Sequence, residues 1–275
     1  VALEPRALFV QSTRAEPAGP HTPDLLGGDE PRRLQDADVL LHARQGHVKP
    51  LGEVRDRRVV GEHEHALRAA RQVWCVFVFD RPILDTLPRE DRRVEFIHGS
   101  LLQLDATLQN LGEQHGRAEV GLIARHGDAR DEVPKLAAEL GVQAVYANHD
   151  DEPAALQRDA QVRGLLARHG IALHTSKDHV VFERKEVLSA AGAPYSVFTP
   201  YRNAWLKKLE PFFLEAYPVE KHAAALAPVP EGIATGMPTL ESLGFQHTNL
   251  HELKIPVGWP GARTLLEDFL PRMAD

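Results

Sequence analysis

The chain opens without a hydrophobic period and then acquires one. Residues 1 to 64 scatter Pro, Gly, Arg, Asp and Glu with neither a two-residue nor a 3.6-residue apolar repeat. Only residues 39–41 and 59–60 hint at order, and so little apolar surface does not offset the entropy of fixing the backbone. The expectation for this stretch is an irregular or poorly packed segment. From His65 the character changes. A short helical stretch at 66–70 leads into seven consecutive apolar residues, Val73, Trp74, Cys75, Val76, Phe77, Val78 and Phe79. A run of that length, rich in β-branched and aromatic side chains, suits a parallel strand covered on both faces. A loop with Pro82 and Pro88 follows, and then a long helix. Its apolar positions Val94, Ile97, Leu101, Leu104, Leu108 and Leu111 fall three, four, three, four and three residues apart, which draws one continuous stripe. Gly112 or Gly116 is its expected terminator.

The same sentence of strand and helix then repeats. Residues 120–124 form a second strand, Asp128 is placed to cap a helix carrying Leu136, Ala137 and Leu140, and Gly141 closes it. Residues 142–147 make a third strand. Pro153 starts a further helix that runs towards His169 with Gly170 as its end, and residues 171–174 give a fourth strand. This alternation predicts an α/β fold, a Rossmann-like parallel sheet with helices on both faces and right-handed crossovers. Beyond residue 180 it stops. Residues 211–258 carry many prolines and no period, as a linker would, and 264–270 reads as the first turns of another helix.

With 275 residues and 43% hydrophobic content the chain has enough apolar matter for a full core. No run approaches the roughly 20 apolar residues that span a bilayer, and the N-terminus lacks a basic-then-apolar secretion pattern. No membrane partner and a cytoplasmic location are therefore expected. The single cysteine, Cys75, sits inside the first apolar run, where it reads as a small buried hydrophobe. The balance of 39 acidic against 32 basic residues gives a formal charge of −7. Because non-specific DNA affinity comes from Lys and Arg neutralising phosphates, this chain alone should bind DNA weakly or not at all. Lys207 and Lys208 form one local basic spot, read as a solvated helix face.

In an open parallel sheet, ligands sit at the carboxyl ends of the strands. The residues just after each strand are Asp80 and Arg81, then Arg125 to Asp128, then Asn148 to Glu152, then Thr175 to Asp178. Such a polar set could surround a planar, hydrogen-bonding ligand, although Asp128 and Asp150 or Asp151 taken singly are better read as helix caps. Other chemistries find no support. There is neither a G-x-G-x-x-G after a strand nor a G-x-x-x-x-G-K-[ST], which disfavours a nucleoside triphosphate. Glu62-His63-Glu64-His65 lacks a second cluster at metal-ligand spacing and reads as an exposed turn. A G-x-S-x-G elbow is missing and Cys75 has no activating neighbour in sequence, so hydrolase chemistry lacks a nucleophile. Trp205, with Leu206 and Leu209 at helical spacing, reads as a packing residue rather than a stacking platform.

Five segments in register over residues 65 to 210 carry a resemblance. They are Trp74-Cys75-Val76-Phe77-Val78-Phe79-Asp80 with Arg81, Asp91-Arg92-Arg93-Val94-Glu95-Phe96-Ile97, Arg125-His126-Gly127-Asp128, Asn148-His149-Asp150-Asp151-Glu152-Pro153 running to Arg158-Asp159, and Val197-Phe198-Thr199-Pro200-Tyr201-Arg202-Asn203-Ala204-Trp205-Leu206. Together they resemble the N-terminal α/β domain of the class I DNA photolyases and cryptochromes. The resemblance implies a light-driven lyase in which reduced FAD donates an electron to a cyclobutane pyrimidine dimer flipped out of DNA, while an antenna pigment passes energy to the flavin. It implies the organisation as well: residues 1–64 outside the family pattern, 65–210 the photolyase-type α/β domain, 211–258 an interdomain linker, and 259–275 the start of a helical FAD-binding domain.

Three departures refine this. Relatives open with a strand and an Arg-rich turn that residues 1–64 do not show, as a reading-frame error or a divergent start would produce. A doubly wound sheet without its first strand lacks a central member, and residues 38–42 are the one modest substitute, so a compromised fold is as well supported as a complete one. The family's FAD pocket, its electron-feeding tryptophans and its DNA-binding face fall beyond Asp275, so no catalytic residue is expected in this chain and the polypeptide is expected to be inactive alone. Finally, Asp150-Asp151-Glu152 stands where the family has Asp-Tyr-Glu, and Ala154 and Ala155 replace the polar pair that helps hold a folate. That argues against a methenyltetrahydrofolate antenna and leaves a deazaflavin or flavin antenna, or none, open.

The antenna-pocket candidates are Asp80, Arg81, Arg125, Asn148, Asp150 and Glu152; no metal ligand is expected. Damaged DNA is the expected partner of the full-length family member, and a monomer the expected state. The alternatives are a cryptochrome-type photoreceptor without repair activity and a free-standing α/β ligand-binding module.

Overall fold

The computed structural model describes residues 7–12, 71–177, 180–214 and 219–274, the first of these as backbone alone. Five strands form one sheet: β1 (Ala7–Ser12), β2 (Gln72–Asp80), β3 (Leu122–Gly127), β4 (Ala144–Asn148) and β5 (Ala172–Ser176), in the order β3-β2-β1-β4-β5. Strand β2 pairs parallel with β3, and β4 parallel with β5. Between the two pairs, β1 runs antiparallel to both β2 and β4. The four strands expected from their apolar runs therefore all point the same way, around a central strand of opposite sense.

That central strand corrects the reading of the first 64 residues. The slot is filled by Ala7–Ser12, not by residues 38–42, which lie outside the described residues, as does Glu62-His63-Glu64-His65. Ala7-Leu8-Phe9-Val10 is an apolar run of strand length that sits alone in a segment without period. Register fixes its place: Ala7 lies opposite Phe77, and Leu8 opposite both Val76 and Ala147.

Strand β2 shows why both faces need cover. Every side chain from Val73 to Asp80 is buried, and alternation sends them to two separate cores. Trp74, Val76 and Val78 join Ile123, Val145 and Ala147 on one face. Val73, Cys75, Phe77 and Phe79 join Leu122 and Ala124 on the other. Burial raises the Cys75 thiol far above its ordinary value, so it stays protonated and serves as packing volume.

The helices that cover these faces begin and end where their sequences dictate. After the single-turn α1 (Arg81–Leu84), α2 (Arg92–Gln114) starts at Asp91, whose side chain accepts the Arg93 N–H at 2.9 Å, and gives way at Gly116 with a φ of +68°. Its stripe of Val94, Leu101 and Leu108 lies on the second core. Gly112, the other expected stop, is an interior helical residue instead: a Cβ there would meet Val120 Cβ at 2.6 Å, so it permits close approach. Helices α3 (Ala129–Glu139) and α4 (Pro153–Arg168) bury Val133, Leu136, Val162 and Leu166 against the first core. Gly141 and Gly170 adopt the positive φ expected just past their ends.

The proline-rich stretch after residue 211 is packed, although it has no period. Ala223, Leu226, Leu240, Leu243 and Phe245 are buried in the second core. The backbone is tied to the sheet by the Ala227 N–H on Val73 O at 2.9 Å and by Trp74 Nε1 donating to Pro228 O at 2.8 Å. Ala223 sits in the 3₁₀ turn Val219–Ala225, and Leu226, Leu240, Leu243 and Phe245 lie in bridge, turn and irregular backbone beyond it, spacings that a period search does not register. Helix α5 (Phe198–Lys208) turns half-buried Trp205 edge-on to Phe182, with ring centroids 5.6 Å apart, and leaves Lys207 exposed. Helix α6 (Gly258–Phe269) packs on α2, the Gly258 N–H donating to Ser100 Oγ at 3.1 Å. Among the described residues no helix is long and apolar enough to cross a membrane.

Leu166 is wholly buried between α4 and the sheet. Leu166→Ala should cost about 2–5 kcal/mol, as a deleted core side chain that leaves a cavity does. A urea-unfolding midpoint shows it, and a loss under about 1 kcal/mol would mean that this core is not formed.

Candidate functional site

Past the last residues that β1 pairs, strands β2 and β4 run on to Asp80 and Asn148. Here a narrow cleft of about 70 Å³ opens between the sheet and helices α3 and α4. Val78, Ala147 and Leu173 form its sheet wall, Ala129 and Val133 its α3 wall, and Val162 its α4 wall. The polar end holds Asp80, Arg158, Asp159 and Thr175.

Asp80 is the centre of this end. It is one of few buried charged residues, 8% exposed, and such a group requires partners. Oδ1 accepts the Ala129 N–H at the start of α3 at 2.9 Å, and Oδ2 lies 3.5 Å from Arg158 Nη1 on α4. Arg158 also approaches its neighbour Asp159, with Nη2 3.2 Å from Oδ1. One guanidinium thus stands between two carboxylates at the edge of an apolar slot.

The other expected pocket residues separate. Arg81 points to solvent and pairs with Asp85 at 3.3 Å. Arg125 shares the sheet face of Asp80 but is held by α3, 4.0 Å from Glu132 and 3.7 Å from Glu139, and it does not line the cleft. Asn148 follows cleft-lining Ala147, so strand alternation turns it to the opposite face; it is 7% exposed and its Oδ1 is buried with no hydrogen-bond partner among the described residues. Asp150 Oδ1 accepts the Glu152 N–H at 2.9 Å in a turn that leads into α4, and Glu152 is the exposed residue preceding that helix. Of the six, Asp80 alone lines the cleft. Its companions Arg158 and Asp159 closed one of the segments that carry the family resemblance, but they were not among the expected pocket residues, which were sought just after the strands.

Asp128 caps α3 as expected, accepting the Arg130 N–H at 2.9 Å. The Arg130 side chain, hydrogen-bonded to the same carboxylate, holds its pKa below the usual aspartate range. A larger, shallow groove of about 690 Å³ lies at the start of α2, away from the strand ends. Its polar groups answer one another: Arg93 pairs with Asp91, Arg92 Nε donates to Asn249 Oδ1 at 2.8 Å, and Glu95 accepts the Thr248 N–H at 2.8 Å. His247 Nδ1 lies 3.0 Å from Glu95, and that hydrogen bond raises the imidazole pKa. These bonds fasten the late segment to α2. Among the described residues no cluster of three or more His, Cys, Asp or Glu is arranged for a metal.

Comparison with known proteins now decides the family. The family model described as DNA photolyase matches residues 32–225. The chain belongs to the DNA photolyase family. The matched span begins ahead of His65, where the motifs start, and ends inside the proline-rich segment. The deoxyribodipyrimidine photo-lyase of a Synechococcus species is 32% identical over 189 residues, covering 65% of this chain and 37% of that protein. The Halobacterium salinarum enzyme of the same name is 31% identical over 206 residues, 72% and 38% of the two chains. Cryptochrome-1 of Rattus norvegicus matches at 23% over 215 residues, 77% of this chain and 35% of that one. A bacterial class III photolyase from Agrobacterium tumefaciens shares the fold, with a TM-score of 0.53 at 21% identity over 71% of this chain and 38% of the other. The chain therefore spans little more than a third of the photolyases it matches.

Asp128 offers a direct check on the walls of the cleft. Its folded pKa is depressed, so its contribution is complete above the unfolded value of about 4 and is lost as pH falls through the folded one. Asp128→Ala should cost about 1 kcal/mol near neutral pH, as losing a helix cap does. The gap between variant and parent in urea unfolding should narrow as pH falls below about 4 and the parent carboxylate becomes protonated too.

Proposed function

We propose that this chain is the chromophore-binding α/β part of a deoxyribodipyrimidine photolyase, an enzyme that uses light to split cyclobutane pyrimidine dimers in DNA. The observation that carries the reading is the cleft at the carboxyl ends of the strands, in a chain of this family, with an apolar slot and a charged end. Residues 65–210 together with strand β1 supply that domain, 211–258 lead on from it while burying side chains in its second core, and 259–275 begin a helical domain whose remainder holds FAD. The setting is cytoplasmic, the partner damaged DNA, and the chain a monomer.

The slot suits a flat, mainly uncharged heterocycle in chemistry, because its walls are aliphatic and its charges are gathered at one end. In size it falls short. At about 70 Å³ it is far below the roughly 300–1,000 Å³ of sites that enclose a cofactor. Neither this cleft nor the groove at the start of α2 combines the room and the lining that FAD needs, and FAD is assigned to the remainder of the longer enzyme. A folate antenna is disfavoured on the chain's own residues. Ala154 and Ala155, at the first turn of α4, offer no hydrogen-bonding side chain, and Ala155 is buried. A flavin or deazaflavin antenna is the reading kept.

A cryptochrome-type photoreceptor is the second reading, favoured by the match to Cryptochrome-1. Repair of ultraviolet-damaged DNA by the longer protein under blue light separates the two.

The 275-residue polypeptide itself should purify without stoichiometric FAD and should retard ultraviolet-damaged duplex weakly, as expected of a formal charge of −7. An absorbance scan and a gel-retardation titration check both. Stoichiometric flavin absorbance together with blue-light repair by this polypeptide alone would contradict the assignment of roles.

A further inference from the structure

The cleft is right in chemistry and small in volume, and Arg158 lines its polar end beside Asp80. The guanidinium has two carboxylates within reach. Asp80 Oδ2 is the more distant, 3.5 Å from Nη1, while Asp159 Oδ1 lies 3.3 Å from Nε and 3.2 Å from Nη2. The two carboxylates also differ in freedom. Asp80 is pinned, because its other oxygen holds the Ala129 N–H at 2.9 Å and the residue is buried. Asp159 travels with Arg158, one position along the same helix.

Withdrawal of Arg158 from Asp80 would therefore break one long contact and keep a nearer one. The arginine keeps a counter-charge, and Asp80 keeps its backbone hydrogen bond. Neither ion is left buried without a partner, which is what usually makes the rupture of a buried pair costly. At about 70 Å³ the closed cleft is smaller than a tricyclic ring, so opening also parts α4, which carries Arg158, Asp159 and Val162, from the sheet end that carries Asp80; the ion pair is what ties the two together there.

We propose that the Arg158–Asp80 ion pair is a latch that holds the cleft shut, and that the cleft admits an uncharged flat heterocycle when Arg158 withdraws to Asp159. The latch rests on the reading of the cleft as the chromophore site and adds how that site is regulated. Apparent affinity scales with the fraction of molecules that are open, so a mainly closed latch lowers it in proportion.

The test uses the full 275-residue chain and lumiflavin, an uncharged tricyclic probe, followed by fluorescence quenching at equilibrium and in stopped flow. Asp80→Asn keeps an oxygen for the Ala129 N–H and removes the charge that holds Arg158. It should bind lumiflavin about five-fold tighter or more than the parent, with faster association. Arg158→Met, which removes the cation at similar length, should shift affinity the same way. A role confined to stability predicts the opposite sign, a lower Tm with weaker binding. Equal affinity in parent and variants would overturn the latch and leave the site standing. Weaker binding by correctly folded Asp80→Asn would make Asp80 a ligand contact, and the latch would again fall. Absence of quenching in parent and both variants would overturn the chromophore site, and the latch with it.

Discussion

Eight consecutive side chains of β2, from 73 to 80, are buried. A strand hidden on both faces obliges the chain to supply cover twice, and the architecture follows from that demand. Helices α3 and α4 close one side, while α2 and the irregular segment after residue 211 close the other. Along β2 the buried run from Val73 to Phe79 carries no polar side chain, and the strand finishes in Asp80 at its carboxyl end. That carboxylate joins three elements, since it ends β2, accepts the first N–H of α3 and meets an arginine of α4. Architecture and candidate site share this residue.

The electrostatics of the cleft follow from the same arrangement. A buried carboxylate is tolerated only with partners, and Asp80 has a backbone donor and a guanidinium. Asp159 beside Arg158 leaves the polar end with two acids and one base. An anionic ligand group would meet net negative charge there, whereas an uncharged ring with polar edges would not. This favours placing the ring, rather than any charged tail, inside the slot.

Much of this was legible in the sequence, for identifiable reasons. The four parallel strands announced themselves as apolar runs, and α2 as a 3.6-residue stripe, because burial on two faces or on one leaves different periods. Asp128, Gly141 and Gly170 marked helix ends through local backbone chemistry that tertiary contacts do not override. What escaped was set by contacts distant in sequence. Strand β1 is six residues long and takes its place from β2 and β4 on either side. Leu226, Leu240 and Phe245 are core residues in a segment of bridge, turn and irregular backbone without a period. Asn148 was grouped with Asp80 by position after a strand, although alternation alone turns it away from Ala147 and the cleft. Arg158 entered from a helix surface whose neighbour across the cleft is 78 positions earlier in the chain.

The central claim is that the cleft between β2, β4, α3 and α4 is where this photolyase-family chain receives a flat heterocycle. Backbone and arginine side-chain ¹H–¹⁵N spectra of the chain, recorded during a lumiflavin titration, test it most directly. The account predicts shifts concentrated at Asp80, Ala129, Val162 and Thr175, with the Arg158 Nε–H resonance moving in step with saturation. Shifts confined to the groove at the start of α2, around Arg92 and His247, or no saturable shifts at the cleft, would contradict it.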